Sequence, residues 1–418
     1  MAKLGPGRLV LAVVSALVAL AWPAAWAYAQ SDLMRRGEYL TRAADCMPCH
    51  TAPDGKPFAG GRPFKLPFGT LYSPNITPDA QTGIGQWSDD DFVKAMHEGI
   101  GRDGQRLYPA FPYPSYTLLS RDDVLAIKAY LFSMPPIANR PPQSHLAFPF
   151  NMRWLMIFWD RLYNPNQRFQ ADLSKSPKWN RGAYLVEALG HCGECHTPRN
   201  LLYGLETSRK LAGAVIQGWR AYNITPDRKS GIGSWSDTDL AQYLATGEAP
   251  RGVAAGPMGE AVDNSLRYLN RDDVEAIVAY LRTVPAIASD VPAGAPTVVA
   301  DNAPANTSQL PSPDELNRIH KDVGVRIFAG ACIGCHGWDG RGLKGSRDVN
   351  DPQALNLTQV ILDGVHVSAS GDRVDMPGFR ADYADAEVAA LANYVTGQFG
   401  SKPATLKPDD VAKRRNGD

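Results

Sequence analysis

The sequence has no excess of charge of either sign and few cysteines. Its 418 residues include 43 Lys and Arg against 43 Asp and Glu, so the formal net charge is zero, and only six residues are Cys. No basic stripe suggests a nucleic-acid partner. The chain also lacks a flavin or nicotinamide fingerprint, a molybdenum or quinone-cofactor domain, and a nucleophile–base constellation. These absences argue against a chain that oxidises an organic substrate by itself.

All six cysteines fall into one repeated motif, Cys-x-x-Cys-His. The copies are Cys46, Cys49 and His50; Cys192, Cys195 and His196; and Cys332, Cys335 and His336. This is the attachment motif of c-type haem, in which two thioether bonds hold the porphyrin and the adjacent histidine binds the iron. Disulfides would not require a histidine after every second cysteine, and zinc ribbons pair two knuckles close together. The sequence therefore predicts three covalently bound haem c groups, with the cysteines as attachment points and the histidines as iron ligands.

The N-terminus has the features of an export signal. A short basic start precedes an apolar run over residues 9–20, and Ala27-Tyr28-Ala29 is a small-residue cleavage site. An uncleaved anchor is the alternative, because the apolar character extends nearly far enough to span a bilayer. Haem is attached to such cysteines outside the bacterial cytoplasm. We therefore predict a cleaved signal peptide over residues 1–29 and a periplasmic protein.

The first two thirds of the chain is a duplicated unit. The paired segments are Arg36-Gly37-Glu38-Tyr39-Leu40 with Arg181-Gly182-Ala183-Tyr184-Leu185, Asn75-Ile76-Thr77-Pro78 with Asn223-Ile224-Thr225-Pro226, Gly83-Ile84-Gly85-Gln86-Trp87-Ser88 with Gly231-Ile232-Gly233-Ser234-Trp235-Ser236, and Arg121-Asp122-Asp123-Val124 with Arg271-Asp272-Asp273-Val274. A shorter and more divergent third unit runs from Gly324 to Val395. Such a repeat indicates one supersecondary unit used several times. We predict a mainly α protein of three tandem class I-type cytochrome c domains joined by linkers.

The predicted boundaries follow the repeat and the composition. They are domain 1 over residues 30–140, a linker with an aromatic-rich segment over 141–175, domain 2 over 176–286, an Ala/Pro-rich linker over 287–312, domain 3 over 313–400, and a polar tail over 401–418. The aromatic-rich segment is too short and too interrupted by polar residues to cross a membrane. It is interdomain core, a docking surface for a partner subunit, or an interfacial membrane contact.

Local signals place the helices and suggest how the loops are used. Ser120 and Asn270 are predicted to cap the last helix of the first and second units. The Asn-Ile-Thr-Pro and Gly-Ile-Gly-x-Trp-Ser elements either position a haem propionate through Asn, Thr or indole N–H, or serve turn formation and aromatic packing.

A methionine on the far side of the iron would distinguish an electron carrier from a catalyst. The second unit offers Met258 and the third offers Met376, both in Gly/Pro-rich loops before the last helix, so both are predicted metal ligands. The corresponding loop of the first unit contains Phe111 and no methionine. The candidates there are Met96, His97, Met134 or no sixth ligand.

These motifs together resemble the triheme cytochrome c subunits of bacterial membrane-associated dehydrogenases. The resemblance rests on the three Cys-x-x-Cys-His motifs, the paired Asn-Ile-Thr-Pro and Gly-Ile-Gly-x-Trp-Ser elements and the loop Tyr108-Pro109-Ala110-Phe111-Pro112-Tyr113. The family serves alcohol, gluconate, sorbitol and fructose dehydrogenases, and relatives accompany molybdenum hydroxylases. Many members carry Met at the position of Phe111, and some have a C-terminal membrane-binding segment that this tail lacks.

The resemblance implies a non-catalytic electron-transfer subunit associated with the outer face of the inner membrane. Its partner would be a dehydrogenase of the flavin, quinone-cofactor or molybdenum type acting on alcohols, sugars, sugar acids or aldehydes. Electrons would leave to ubiquinone or a terminal oxidase, with a possible peripheral membrane contact. Two alternatives stay open: a self-contained haem enzyme, such as a peroxidase or small-ligand reductase with an open first haem, and a freely diffusing carrier.

Overall fold

The computed structural model describes residues 30–294, 317–319, 321–367 and 374–416. The predicted signal peptide and most of the predicted 287–312 linker lie outside these ranges. The described chain is mainly α with a few short strands, which confirms the predicted fold class. Within those ranges, none of the helices combines the length and the apolar character needed to span a bilayer.

The first unit places its haem-attachment motif directly after its first helix. Its elements are α1 (30–43), α2 (Cys46–Cys49), β1 (Pro63–Leu66), β2 (Gly69–Tyr72), α3 (Asp89–Glu98), α4 (Tyr113–Tyr116) and α5 (Arg121–Phe132). The segment predicted as a linker is structured: it contributes β3 (His145–Leu146), which pairs antiparallel with β2, and α6 (Met156–Tyr163). The first unit therefore extends into its linker.

The second unit repeats this order and adds a short pair of strands before its last two helices. Its elements are α7 (Pro177–Tyr184), α8 (Gly193–His196), β4 (Ala214–Ile216), β5 (Trp219–Ala221), α9 (Asp237–Thr246), β6 (Glu248–Ala249), β7 (Gly252–Val253), α10 (Gly256–Asn264) and α11 (Arg271–Leu281). A π-helical turn, Leu185–Leu189, joins α7 to the motif. Such turns are frequent at functional sites.

The third unit is shorter but keeps the same plan. Its elements are α12 (Val323–Ile327), α13 (Ile333–His336), α14 (Arg347–Asn350), α15 (Leu355–Asp363), β8 (Val365–Val367), β9 (Val374–Met376), α16 (Asp385–Phe399) and α17 (Pro408–Asn416). The predicted polar tail is therefore partly a helix: α17 buries Val411 completely and Arg414 almost completely against this unit. Because this segment is rich in charged residues, its sequence does not reveal that one face of α17 is buried.

The predicted helix caps are present. The side chain of Ser120 accepts a hydrogen bond from the Asp123 backbone N–H, and Asn270 accepts one from Asp273 in the same way. Each satisfies a backbone donor that the first helical turn leaves without a partner. Asp122 and Asp272 also lie in these first turns, where carboxylates favour the helix dipole.

A glycine lets the first helix of every unit cross the last helix closely. A Cβ atom built on Gly37, Gly182 or Gly324 would overlap the carbonyl oxygen of Ala126, Ala276 or Ala390 and touch the Cβ of Tyr130, Tyr280 or Tyr394, respectively. Three equivalent glycine–tyrosine crossings indicate that the divergent third unit uses the helix packing of the first two.

The hydrophobic core is divided differently from the sequence repeat. One continuous buried cluster joins residues of the first and second units, including Leu119, Ile127, Leu185 and Leu189. A second cluster belongs to the third unit and is centred on Phe328. The division into three separate domains stays a prediction, since the first two units share one core.

Candidate haem-binding sites

The three motif histidines share one hydrogen-bonding pattern. The Nδ1 atom of His50 lies 2.9 Å from the Pro74 carbonyl oxygen, that of His196 lies 2.6 Å from the Tyr222 carbonyl, and that of His336 lies 2.8 Å from the Arg341 carbonyl. A carbonyl only accepts, so Nδ1 carries the proton and Nε2 keeps its lone pair. This orientation is the one that protein partners impose on metal-binding histidines.

Burial keeps the first two histidines in the neutral form that a metal requires. Burial lowers the pKa of His50, although the hydrogen bond to Pro74 opposes the shift. It lowers the pKa of His196 to about 4, again against the effect of the backbone hydrogen bond. Both imidazoles are therefore neutral at ordinary pH, the state in which imidazole binds a metal.

The six cysteines differ in exposure: Cys195 and Cys335 are exposed, and the other four are half-buried. All six lie among the described residues, and no disulfide joins any of them to another. Burial raises the pKa of Cys49 and Cys192 to about 12 and that of Cys195 and Cys332 to about 11. The structure therefore does not use these cysteines to form disulfides.

The first two motifs open on one shared cavity of about 2040 Å³. Single ligand sites measure roughly 300–1,000 Å³, so the space suits two large cofactors. Cys46, Cys49 and His50 line it together with Cys192, Cys195 and His196. Tyr116 lies between the two motifs: its hydroxyl donates to the Ala44 carbonyl at 2.7 Å, and its ring centroid is 5.5 Å from that of His191. The third motif does not line this cavity.

Reciprocal hydrogen bonds fix the first two units to each other. The Tyr39 hydroxyl donates to Asp273 at 2.5 Å, and the Tyr184 hydroxyl donates to Asp123 at 2.6 Å. Each aspartate belongs to the capped helix of the opposite unit. Burial, reinforced by the bond to Asp273, raises the pKa of Tyr39 to about 12, so Tyr39 remains a donor. The two attachment motifs are therefore held at a defined separation.

Comparison with known proteins agrees with this arrangement. A cytochrome c family model matches residues 34–135, and a model of cytochrome c oxidase, cbb3-type, subunit III matches residues 321–395. The fructose dehydrogenase cytochrome subunit of Gluconobacter japonicus is 39% identical over 94% of this chain and 84% of its own length. The chain belongs to the family of dehydrogenase cytochrome c subunits.

Two further relatives show the range of this family. The gluconate 2-dehydrogenase cytochrome c subunit of Pantoea cypripedii is 35% identical over 93% of this chain and 90% of its own length. A nicotinate dehydrogenase subunit of Pseudomonas putida is 42% identical over 89% of this chain, but the chain spans only 31% of the length of that much longer protein. As a cytochrome c subunit, this chain binds haem c covalently and transfers electrons.

Of the two predicted methionine ligands, one faces the shared cavity. Met258 lies in the first turn of α10 and lines the cavity. Met376 ends β9 and pairs with Val365 of β8, within the third unit and away from that cavity. The side chain of each is half-buried. The roles of Met258 and Met376 as iron ligands stay predictions.

The structure separates the candidates for the sixth ligand of the first unit. Met96 is buried in α3 and lines the cavity, as does Phe111, whereas His97 and Met134 do not. Burial lowers the pKa of His97 to about 4. Two methionines that sequence reasoning missed, Met152 and Met156, also line the cavity. They come from the aromatic-rich segment, and only its fold over the first unit brings them there.

The Asn-Ile-Thr-Pro elements form turns. Asn223 donates to the Ile287 carbonyl at 2.7 Å and accepts from the Thr225 hydroxyl at 2.7 Å, and Asn75 and Thr77 repeat this pattern around Ile137. Their polar groups are thus occupied within the protein. The buried indole Nε1 of Trp235 has no hydrogen-bond partner in the part of the chain that the structure describes, and it lies on the cavity wall, where it could donate to a propionate.

Proposed function

We propose that the chain is a periplasmic triheme electron-transfer subunit that takes electrons from a partner dehydrogenase and passes them to ubiquinone or another respiratory acceptor. The observation that carries this proposal is the threefold geometry of a Cys-x-x-Cys-His motif whose histidine donates Nδ1–H to a backbone carbonyl. Bound haem c would supply one-electron chemistry at its iron. The residues that would hold it are the six cysteines and His50, His196 and His336.

The protein's own contribution is to hold the sites close together and dry. Leu71, Ile84, Phe92 and Leu240 are buried apolar residues of the cavity wall, and such a wall would shield part of a bound porphyrin from water. The shared cavity would place the first two groups side by side. The third unit adjoins the second through the Tyr222 hydroxyl, which donates to Asp348 at 2.6 Å, while the Tyr222 carbonyl accepts from His196. A relay from unit to unit would follow this contact.

The partner is proposed to be the catalytic subunit of an alcohol, sugar, sugar-acid or aldehyde dehydrogenase. The names of the relatives support this class, and the described residues offer no second cofactor fingerprint. A tagged chain purified in mild detergent from its native host should bring a flavin, quinone-cofactor or molybdenum dehydrogenase with it in stoichiometric amount. Recovery of the cytochrome alone at good yield would instead favour a freely diffusing carrier.

The proposed haem count can be measured directly. Replacing the two cysteines of one motif by serine should remove one haem per chain, and each of the three paired variants should do so. The variants are Cys46→Ser/Cys49→Ser, Cys192→Ser/Cys195→Ser and Cys332→Ser/Cys335→Ser. Intact-protein mass and the pyridine haemochrome spectrum give the count. A wild-type chain carrying only two haems would contradict the triheme proposal.

A second candidate function rests on Phe111, which lines the cavity at a position where the family resemblance leads us to expect methionine. An open iron site at the first motif would permit peroxidase or small-ligand reductase activity. Carbon monoxide added to the reduced wild-type protein separates the two functions. A fully six-coordinate relay should bind little, whereas an open first site should bind about one molecule per chain.

A further inference from the structure

Buried side-chain donors without partners concentrate on one side of the second haem site. Trp235 Nε1, Arg251 Nε and Arg347 Nε are all buried, none of them has a hydrogen-bond partner among the described residues, and all three residues line the shared cavity. Native proteins leave few buried donors unpaired, so such a group calls for an explanation. Three unpaired donors on one cavity wall indicate an acceptor that belongs in the cavity.

Arg347 is the most informative of the three because it comes from the third unit. Its residue exposure is 8%, and its guanidinium carbon lies 4.3 Å from the centroid of the Tyr222 ring. Its amino groups donate to the Ser230 carbonyl at 2.7 Å and approach the Asn223 carbonyl at 3.5 Å. Both carbonyls belong to the second unit. The side chain therefore reaches from the third unit to the wall of the second haem site.

Among the described residues, no carboxylate forms an ion pair with Arg347. The nearby carboxylate of Asp348 attracts its charge but accepts a hydrogen bond from the Tyr222 hydroxyl instead. Other arginines of the cavity wall do have such partners: Arg62 pairs with Glu260, Arg199 with Glu194 and Arg220 with Asp351. Burying an unpaired cation is costly, so a negative group is expected beside Arg347.

Arg251 lies near Arg347 and strengthens the case. Arg251 donates to the Gly294 carbonyl at 3.3 Å, and a Cβ atom built on Gly294 would lie 3.0 Å from Cγ of Arg347. The two arginines thus approach the cavity from neighbouring positions. Two cations and an indole N–H form a site suited to carboxylates, which accept several charge-assisted hydrogen bonds.

We propose that Arg347 of the third unit, together with Arg251 and Trp235 of the second, binds the propionate carboxylates of the haem attached at Cys192 and Cys195, so that the third unit sets the redox potential of the second haem. This rests on the proposed haem at the second motif. Arg347 acts as a positioning and tuning residue, because its positive charge favours the reduced, less positive state of the iron.

The test is a spectroelectrochemical titration of the full-length holoprotein with Arg347→Gln. The component missing from the Cys192→Ser/Cys195→Ser variant identifies the second haem. Its reduction equilibrium should become at least about tenfold less favourable, a fall of about 59 mV for a one-electron couple, with the other components unchanged. Arg347→Lys, which keeps the charge, should restore most of the potential. If Arg347→Gln does not accumulate, Arg251→Gln takes its place with the same expected direction.

Arg414→Gln is the matched control. Arg414 is also a buried arginine of the third unit, but it donates to the Ala354 and Gln353 carbonyls and does not line the cavity. It should leave all potentials unchanged. An unshifted second haem in Arg347→Gln, or an equal shift in Arg414→Gln, would overturn the proposal. The haem count and dehydrogenase co-purification do not depend on Arg347, so failure of this inference is distinguishable from failure of the proposed function.

Discussion

The three motif histidines differ in how far along the chain their carbonyl partners lie. His50 and His196 reach carbonyls 24 and 26 residues away, whereas His336 uses one only five residues away. The motif itself predicts the histidine as a ligand, because adjacency to the second cysteine suffices. It does not predict the partner, because different loops bring a carbonyl to the same ring nitrogen. The local sequence therefore identifies the ligand, whereas the orientation of its ring depends on the tertiary fold.

Met258 provides a prediction about the second iron site. Met258→Ala should allow carbon monoxide to bind at one additional site per reduced chain and should lower one haem potential, because a methionine ligand closes the site and raises the potential. Absorbance spectra with and without carbon monoxide measure the effect. Met134→Ala is the control, since Met134 packs on the core without lining the cavity. Unchanged carbon monoxide binding would show that Met258 is not the ligand.

Asp273 provides a prediction about pH. Burial alone would raise its pKa, but hydrogen bonds from Arg181 and Tyr39 bring the pKa below its usual value. A lowered carboxyl pKa contributes stability above the unfolded value near about 3.9, and this stability is lost as the pH falls through the folded value. Asp273→Asn should therefore lower stability at pH 7 by about 2 kcal/mol or more, and by less at pH 3.

Thermal unfolding at the two pH values measures the Asp273 effect. Asp272→Asn is the matched control: it lies in the same first helical turn but is exposed, so it should cost only a few tenths of a kcal/mol. If the two variants were equally destabilised, the contact that Asp273 makes between the first and second units would not be the cause of the loss.

At the scale of elements, the sequence predicted helix caps correctly because the hydrogen-bonding groups involved lie close together in the chain. The caps at Ser120 and Asn270 were predictable because each bonds a backbone N–H three residues away. The Asn-Ile-Thr-Pro element was ambiguous because Asn and Thr suit both turns and ligands, and the structure commits both to turns. The role of α17 was missed because a single buried side, with Val411 at its centre, is concealed in a charged sequence.

The glycine crossings give a prediction for the third unit. Gly324→Ala should destabilise it by about 1–3 kcal/mol, because the added methyl group would overlap the Ala390 carbonyl of α16. Gly330→Ala is the matched control in the same unit, since no atom lies within 4 Å of its built Cβ. That variant should be neutral or slightly stabilising. Calorimetry compares the two, and a similar loss in both would show that backbone freedom, not the crossing, is what matters.

At the scale of the molecule, the first two units act as one body with two sites. Their common core and cavity explain why neither Met152 nor Arg347 could be placed at the cavity from the sequence, since Met152 belongs to a predicted linker and Arg347 to the third unit. The aromatic-rich segment also has one side buried against the first unit and one side exposed. Asp160 is buried against Arg106 and Tyr113, while the opposite side of α6 remains exposed.

The exposed side of α6 and of the turn before it suggests where the dehydrogenase binds. The aromatic patch consists of Trp154, Phe158 and Leu162, which are 57%, 62% and 67% exposed. Phe158 and Leu162 also line the shared cavity, so the patch adjoins the first two haem sites. Apolar patches of this kind mark interaction surfaces. Trp154→Ser/Phe158→Ser should reduce co-purification of the catalytic subunit at least about tenfold while the haem content stays unchanged, because aromatic residues dominate binding energy.

Leu173→Ser is the control for the aromatic patch. Leu173 is 97% exposed but does not line the cavity, so its replacement should leave the complex intact. The location of the protein after cell fractionation separates the two possible uses of the patch. If the double variant keeps its dehydrogenase but moves from the membrane to the soluble fraction, the patch contacts lipid. If it loses the dehydrogenase in both fractions, electrons enter the cytochrome beside its first two haems, and the third unit lies on the route by which they leave.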